Sequence, residues 1–272
     1  MNDRIVRILD ILSRNKKIKI NLFAELLDVS RITLRRDLEK LERRGILRLT
    51  HGYADLDGAD DTGKRIAFDY SIKRRIAKAA ADIVQENETI MVESGSCCTL
   101  FAEELAFARK NNTIITNSIF IANYIGRLPN IKIIILSGIF QPDSQVTVGS
   151  MTSACMESIY TGKYFLGADG YIPDLGFTGS DYLRAETAAN LAEHVDKIYI
   201  LTESAKFSRR GPYSLISFDK IAGVFTDDGI PKEAEAAILN SGAELHKVPS
   251  VEEKIKWRQF PGLTPFLYTE KK

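Results

Sequence analysis

Residues 30–47 read Ser-Arg-Ile-Thr-Leu-Arg-Arg-Asp-Leu-Glu-Lys-Leu-Glu-Arg-Arg-Gly-Ile-Leu, and this stretch decides the fold of the N-terminal part of the chain. Ser30 is a good N-cap, because its hydroxyl accepts a hydrogen bond from an unpaired amide of the first helical turn. Leucines then recur at spacings of three and four residues, which places them on one helix face. Gly45 suits the left-handed position just past a helix end. The stretch therefore predicts a helix over residues 31–44.

Two shorter apolar patterns precede this helix. Residues 4–14 and 19–27 carry apolar side chains at helical spacing, and residues 28–30 break the second pattern. A short helix, a three-residue turn and a longer basic helix have the proportions of a helix-turn-helix. Residues 46–49 predict a strand, and residues 51–52 (His-Gly) predict the turn of a hairpin, which would form a wing beside the helices.

The charge of the chain is unevenly distributed. Residues 1–54 hold 13 Lys and Arg against 7 Asp and Glu, a balance of +6, whereas the whole chain has a net charge of +1. The remaining residues are therefore mildly acidic. The basic N-terminal part, called the head below, is expected to bind a polyanion. Charge does not distinguish nucleic acid from a membrane surface. The helix-turn-helix proportions favour DNA, because the second helix of that motif enters the major groove.

The candidate DNA contacts lie on the third helix and the predicted wing. Arginine makes paired hydrogen bonds to a guanine edge, and basic groups on a wing reach phosphates. The alternative interpretation is a solvated basic helix on a three-helix bundle. The expected contacts are Ser30, Arg31, Thr33, Arg35, Arg36, Lys40, Arg48 and His51.

Composition excludes several classes of protein. Apolar residues make up 44% and charged residues 27% of 272 residues, which is ordinary for a folded globular chain. No apolar run approaches the roughly 18 residues of a membrane helix, and the first residues lack the plan of a signal peptide. Three cysteines and three histidines do not suit a disulfide framework or a four-ligand zinc site. We expect a reduced, cytoplasmic protein with no cofactor and no metal.

Strand-like and helix-like segments alternate after an Asp- and Gly-rich stretch at residues 55–63, which predicts a flexible polar bridge. Alternation of this kind predicts a mostly parallel, Rossmann-like sheet covered by helices. Strands are expected at Thr89–Val92, Thr113–Thr116, Lys132–Leu136, Lys163–Leu166, Lys197–Leu201, Ile221–Phe225 and Glu244–Val248. Helices are expected at residues 70–86, Leu100–Ala108, Ile119–Leu128, Thr152–Tyr160, Glu186–His194 and Pro231–Asn240.

Small, polar and ionisable residues follow several of these strands, at the sheet edge where open α/β folds bind ligands. Residues 94–99 lead directly into a helix, and such a helix start can cradle a phosphate. Lys206 adds a basic group, while Asp169 and Glu186 add carboxylates able to bond sugar hydroxyls. The alternatives are a tight turn that needs small residues anyway and carboxylates that cap helices or face solvent.

The quoted stretch closely resembles the helix-turn-helix signature of the DeoR family of bacterial transcriptional regulators. Residues 48–52 resemble the wing of that family, although Tyr53 replaces its usual second glycine. The later part of the chain resembles the family's C-terminal sensor domain through Glu93–Ser96, Thr116–Ser118, Leu136–Gly138, Gly167–Gly170, Gly176–Gly179 and Ser204–Phe207.

The resemblance implies a winged helix-turn-helix that binds double-stranded operator DNA, usually as a repressor. It also implies a sensor domain similar to ribose-5-phosphate isomerase and the coenzyme A transferases, which usually senses a phosphorylated sugar. The effector contacts implied are Ser94, Gly95, Ser96, Cys97, Cys98, Asn117, Ser118, Asp169, Gly170, Thr178, Glu186 and Lys206.

Several pocket positions depart from the family pattern. Cys97 and Cys98 stand where the family commonly has two threonines, which replaces hydroxyls by weaker thiol donors. Glu93 replaces an aspartate, Ser137 replaces a glycine, and Thr202 begins a Thr-Glu-Ser run in place of Asp-Ser-Ser. These changes leave the identity of the ligand open. A thiol pair also raises the alternative of redox sensing.

Together these features predict four segments: a winged helix-turn-helix head (residues 1–56), a linker (57–69), a sensor body (70–250) and a tail (251–272). We expect a homo-oligomeric regulator, dimeric or tetrameric, of a carbohydrate operon, with no catalytic residues. One alternative is an isomerase-like enzyme with an accessory DNA-binding head, in which Asp169, Glu186 and Lys206 would carry acid–base chemistry. Another is a DNA-binding protein that responds to no ligand.

Overall fold

The structure is a computed structural model that describes residues 3–56, 61–173 and 175–250. The expected tail lies outside the described residues. The helices are α1 (Asp3–Asn15), α2 (Ile20–Leu27), α3 (Arg31–Arg43), α4 (Asp61–Ala67), α5 (Tyr70–Asp82), α6 (Ser96–Ala108), α7 (Ile119–Ile125), α8 (Ser150–Ala154), α9 (Tyr182–Leu191) and α10 (Lys232–Asn240). The strands are β1 (Lys17–Lys19), β2 (Arg48–Thr50), β3 (Tyr53–Asp55), β4 (Thr89–Val92), β5 (Asn112–Thr116), β6 (Ile131–Ile135), β7 (Ile139–Gln141), β8 (Val146–Val148), β9 (Thr161–Leu166), β10 (Gly170–Ile172), β11 (Gly176–Gly179), β12 (Val195–Leu201), β13 (Tyr213–Ile216), β14 (Ile221–Asp227) and β15 (Glu244–Val248).

The head is a winged helix-turn-helix. Helices α1 to α3 pack beside a small antiparallel sheet of order β1-β3-β2. Ser30 caps α3 as predicted, because its Oγ accepts a hydrogen bond from the Thr33 amide at 3.1 Å. Gly45 takes a positive φ of 74° just after α3. His51 and Gly52, at φ values of 47° and 82°, form the two-residue turn that joins β2 to β3.

The body is built on a seven-stranded sheet in the order β15-β14-β12-β9-β4-β5-β6. Every neighbouring pair in it is parallel. These strands are the seven that the sequence predicts, with ends that differ by at most two residues. The first strand of the sheet, β4, lies between β5 and β9, so the winding direction reverses between β4 and β9. The structure therefore confirms the α/β, Rossmann-like fold class.

Several parts of the body differ from the sequence prediction. The helix expected at Glu186–His194 is α9, which already begins at Tyr182, and the helix expected at residues 70–86 ends at Asp82. The helix expected at Thr152–Tyr160 is the shorter α8, because the chain turns before β9 begins at Thr161. The sequence also gave no sign of the hairpin β7–β8 or of the small sheet β10-β11-β13. Their strands have only three or four residues, too few for a periodic pattern to be recognised.

Part of the segment where a flexible polar bridge was expected is helical. Residues 61–63 belong to α4, so the prediction of a bridge over 55–63 is wrong for them. Ile66 and Ala67 of α4 are buried in the same apolar cluster as the head. A helix of this length is not stable by itself, so it depends on the burial of these two side chains.

Alternate residues of the large sheet enter different cores, because successive strand residues face opposite sides. Ile90 and Val92 of β4 pack with α5 and α6, whereas Met91 packs on the other face. The cluster around Ile90 continues through α4 into the head, where it includes Leu12 and Phe23. The head and the body therefore share one apolar core. Within the described residues no helix is long and apolar enough to cross a membrane.

An ion pair joins the end of the recognition helix α3 to the body. Arg44 Nη1 donates to Glu103 Oε1 of α6 at 2.6 Å, and the guanidinium lies 5.1 Å from the ring centre of Tyr124. The Glu103 side chain is only 1% exposed, whereas that of Arg44 is 31% exposed. Burial raises the pKa of Glu103, and Arg44 opposes that shift. The carboxylate thus depends on a cation that the head supplies.

We expect Arg44→Ala to lower the free energy of unfolding by about 3 kcal/mol, because it leaves the buried Glu103 carboxylate without its cation. Urea denaturation of the full chain measures this change. The double variant Arg44→Met with Glu103→Leu should recover most of the loss. The matched control is Lys220→Ala at the exposed Lys220–Glu193 pair, with an expected loss below about 1 kcal/mol. An Arg44→Ala variant as stable as that control would contradict the prediction.

Candidate functional site

The exposed surface of α3 and the wing holds the predicted DNA contacts. Their side chains lie on the solvent side of the head, whereas Leu34 and Leu38 of the same helix are fully buried. Thr33 is half-buried and its hydroxyl lies 2.8 Å from that of Ser30. The exposed basic and wing residues are Arg31, Arg35, Arg36, Lys40, Arg48 and His51.

One apolar residue stands among these polar groups. Ile32, in the first turn of α3, is 69% exposed although its neighbours Leu34 and Leu38 are buried. An apolar side chain in this position can contact the methyl group of thymine. Sequence reasoning missed it, because apolar residues at helical spacing are normally assigned to the core. Arg35 is held along the helix, since its Nε donates to Glu39 Oε1 at 3.0 Å.

A cleft opens at the carboxyl end of the large sheet, where the winding direction reverses. Residues 93–97 after β4 and residues 167–169 after β9 line it side by side, and their backbones approach closely at Gly95 and Gly167. Glu203 and Lys206, which follow β12, and residues 179–185 around the start of α9 complete it. Such a reversal is the place where open α/β sheets bind ligands, since the loops of adjacent strands diverge there.

Helix α6 begins in this cleft. Its N-cap is Gly95, which has no side chain to accept a hydrogen bond from the first helical amides. Ser96 and Cys97, the first two residues of the helix, line the cleft. Helix N-termini carry unsatisfied N–H groups and a partial positive charge. The cleft therefore has a built-in position for an anionic group.

Carboxylates surround that position. Asp169 Oδ2 accepts hydrogen bonds from the Ser180 amide at 3.0 Å and from the Ser180 hydroxyl at 2.6 Å. Burial acts to raise the pKa of Asp169, but these bonds and the Arg65 guanidinium outweigh it and lower the pKa. Glu203 behaves similarly, because Lys73 and Lys206 outweigh the effect of burial. Both groups are thus kept ionised and can accept hydrogen bonds from ligand hydroxyls.

Three basic side chains of the cleft lining, in addition to Lys73 behind it, face these acids. Arg65 Nη1 lies 3.6 Å and Arg184 Nη2 lies 3.9 Å from Asp169. Lys206 lies beside Glu203 and Asp169, whose charges oppose the lowering of its pKa by burial. The cleft therefore combines groups for an anion with groups for hydroxyls, which is the donor set that a phosphorylated polyol needs.

The structure brings half of the twelve predicted effector residues to the cleft. The cleft is lined by Ser94, Gly95, Ser96, Cys97, Asp169 and Lys206. The remaining six lie outside that lining and make other contacts. The Cys98 thiol donates to the Phe165 carbonyl, and the Asn117 side chain donates to the Thr147 carbonyl. Ser118 caps α7, and Gly170 packs on the Arg209 backbone. The Thr178 hydroxyl accepts a hydrogen bond from the Gly211 amide, and the Glu186 carboxylate accepts one from the Tyr182 hydroxyl.

Sequence reasoning missed the two arginines of the cleft. Arg65 lies in the stretch assigned to the linker, and Arg184 lies on α9 three residues after its N-cap Asp181. Neither residue follows a predicted strand, so no local signal marked it. Glu203 does follow a strand, and its position after β12 is the signal that would have included it.

The two adjacent cysteines are buried. Cys97 Sγ donates to Glu203 Oε2 at 3.6 Å, and Cys98 is fully buried behind it. Burial raises the pKa of both thiols well above its ordinary value, and Glu203 and Glu93 raise it further. A redox sensor needs an accessible thiolate, so this environment does not favour redox sensing. Among the described residues no cluster of His, Cys, Asp and Glu has the arrangement of a metal site.

Both halves of the chain match known protein families. The DeoR-like helix-turn-helix domain matches residues 4–59, and the DeoR C-terminal sensor domain matches residues 69–228. The chain belongs to the DeoR family. It is therefore a DNA-binding transcriptional regulator, as its sequence predicted, and the cleft lies in the sensor domain of this DeoR-family chain.

Two transcriptional regulators are similar over more than four fifths of this chain, and one solved structure is similar over about half of it. The HTH-type transcriptional regulator GolR of Listeria innocua is 30% identical, with 88% of this chain and 96% of that protein aligned. The lactose phosphotransferase system repressor of Staphylococcus epidermidis is 28% identical, over 83% of this chain and 92% of that protein. Ribose 5-phosphate isomerase A of Methanocaldococcus jannaschii is 15% identical, with 51% and 54% covered and a TM-score of 0.38.

We expect the thiols of this DeoR-family chain to differ in reactivity. Iodoacetamide at neutral pH should modify Cys155, which is half-buried, faster than Cys97 or Cys98, which are buried with raised pKa values. Mass spectrometry of the native protein against reaction time gives the order. All three thiols should react alike in denaturant, which is the control. Rapid labelling of Cys97 in the native protein would contradict the geometry described above.

Proposed function

We propose that this regulator is a repressor of a carbohydrate-metabolism operon whose operator affinity changes when a phosphorylated sugar binds in the cleft. The observation that carries the proposal is the start of α6. Its amides near Ser96 and Cys97 open into the cleft, where Arg65, Arg184 and Lys206 also lie. This function belongs in the cytoplasm, where operators and phosphorylated sugars occur together.

The remaining groups of the cleft suit the sugar part of such a ligand. Asp169 and Glu203 have lowered pKa values and so present ionised oxygens to hydroxyl donors. Ser96 offers a hydroxyl at the start of α6, whereas the buried Ser94 donates its hydroxyl to Glu93 Oε1. The similarity to a lactose phosphotransferase system repressor supports the proposal, because that name refers to a sugar and to phosphoryl transfer.

The isomerase-like alternative is not favoured. It requires Asp169, Glu186 and Lys206 to act on one substrate, but Glu186 is exposed on α9 outside the cleft lining. Its carboxylate accepts a hydrogen bond from Tyr182 Oη at 3.0 Å instead. The proposed role of the cleft is therefore binding without turnover.

The proposal includes a homo-oligomer, because one recognition helix reads few bases and operators usually contain two half-sites. An apolar surface suits contact between copies. It joins the edge strand β6, where Ile135 is 40% exposed, to the hairpin β7–β8, where Ile139 and Phe140 are 61% and 51% exposed. Met151 of the neighbouring α8 is 62% exposed.

We expect a phosphorylated sugar to bind the wild-type protein and Lys206→Met to weaken that binding about tenfold or more, because a charged hydrogen-bond donor is lost. Calorimetric titration with ribose 5-phosphate, fructose 6-phosphate and glucose 6-phosphate measures the affinity, and the unphosphorylated sugars serve as ligand controls. Lys220→Met, at a surface ion pair away from the cleft, is the matched control variant. Absence of binding by every phosphorylated compound would contradict the proposed function.

For the DNA surface we expect two kinds of effect. Arg35→Ala and Ile32→Ala should each cost roughly 1–3 kcal/mol on the operator and relax specificity at one base pair. Arg48→Ala should weaken binding to all sequences alike and lower the salt slope by about one unit. Fluorescence anisotropy on a duplex from the upstream region of the gene, with random duplex as competitor, separates the two. An unchanged salt slope in Arg48→Ala would remove that residue from the interface.

A further inference from the structure

Helix α4 belongs both to the cleft and to the contact with the head. The Arg65 side chain of α4 lines the cleft, and its Nη1 lies 3.6 Å from Asp169 Oδ1. Two residues earlier, Gly63 packs against the carbonyl of Gly45, just beyond the end of α3. A helix of seven residues thus connects the ligand site to the end of the recognition helix.

Charged groups hold the C-terminal end of α4 at the cleft. Lys73 of α5 is 2% exposed, and its Nζ donates to the carbonyls of Arg65 and Phe68. The same Nζ lies 3.6 Å from Glu203 Oε1, which also lines the cleft. Besides the burial of Ile66 and Ala67, the position of α4 at the cleft therefore depends on the Arg65–Asp169 ion pair and on Lys73, whose acidic partner Glu203 also faces the ligand site.

The N-terminal end of α4 contacts the head backbone directly. A Cβ atom at Gly63 would lie 1.9 Å from the Gly45 carbonyl oxygen, which shows how closely the two backbones approach. No side chain lies between them at this point, so a shift of α4 cannot be absorbed by a rotamer change. Gly45 directly follows Arg44, so the shift would reach the end of α3 within one residue.

We propose that Arg65 is the residue through which a ligand in the cleft acts on the DNA-binding head. An anionic ligand competes with Asp169 for the Arg65 guanidinium, whose planar fork binds phosphate oxygens in pairs. Helix α4 then moves with Arg65, and α3 changes its orientation. This inference rests on the proposed function for the identity of the ligand, but the ion pair it invokes exists without any ligand.

A second connection runs through α6, which begins in the cleft at Ser96 and carries Glu103 toward Arg44. Helix α6 has thirteen residues, most of them buried in the shared core, so its position is set by packing. Helix α4 buries only Ile66 and Ala67 in that core, and its contact with the cleft is the Arg65–Asp169 ion pair, for which a charged ligand competes. We therefore expect α4 to move relative to α6.

The ligand-free protein provides the first test. Arg65→Gln and Asp169→Asn remove the same ion pair from opposite sides. We expect each variant to change the dissociation constant for the upstream duplex about fivefold or more, in the same direction. The double variant should change it no further than either single variant. Lys78→Gln removes one positive charge from the exposed surface of the neighbouring α5, outside the cleft lining, and its dissociation constant should equal that of the wild type.

Hydrogen exchange measured by mass spectrometry on the same full-length proteins gives a second readout. Amides of α4 should exchange faster in Arg65→Gln and in Asp169→Asn than in wild type or Lys78→Gln, because α4 loses an attachment to the cleft. The inference would be overturned by wild-type exchange rates in both variants, by wild-type DNA affinity in both, or by equal effects of Lys78→Gln. If one variant fails to fold, the other still tests the same ion pair.

Experiments with the phosphorylated sugars distinguish failure of this inference from failure of the proposed function. With whichever of the three phosphorylated sugars binds the wild type, Arg65→Gln should still show heat of binding, but operator affinity should no longer respond. A response of wild-type size in Arg65→Gln would overturn the role of Arg65 and leave the effector site standing. If no sugar phosphate binds the wild type, the proposed effector is wrong, and the ligand-free comparison alone decides the role of Arg65.

Discussion

Burial of Glu103 beside Arg44 is the constraint on which the arrangement of the two halves depends. A carboxylate that is 1% exposed needs a cation, and here the cation comes from the residue that ends the recognition helix. Together with the apolar core that runs from the head into the body, this pair sets the direction of α3 relative to the large sheet in the ligand-free protein. The cleft and the DNA-binding surface are therefore parts of one packed unit.

The large sheet was predictable because each of its strands is a short apolar run between polar turns, and the runs alternate with helical patterns. The head was predictable because Ser30 and Gly45 mark both ends of α3 through local backbone chemistry. Strand order was not predictable in the same way. The placement of β4 between β5 and β9 follows from long-range packing, and the cleft depends on that placement.

For the same reason only part of the cleft was found from sequence. Residues 94–97 were recognised because a small polar loop leading into a helix is a local signal. Asn117 and Ser118 give the same kind of local signal, and Thr178 was implied only by the family resemblance, but the side chains of all three bond to neighbouring backbone groups. Arg184 gave no signal, because its side chain reaches the cleft from the start of α9, beyond a small sheet that the sequence did not reveal.

The backbone contact between Gly63 and Gly45 limits how freely the two halves can be exchanged between proteins. Hybrid regulators are often designed by joining a head with one operator preference to a body with another ligand. Here the two halves pack closely at their junction, and any side chain at position 63 would collide with the backbone at the end of α3. A hybrid made from this chain must therefore carry over the turn after α3 and helix α4 as a single block, with the point of fusion placed elsewhere.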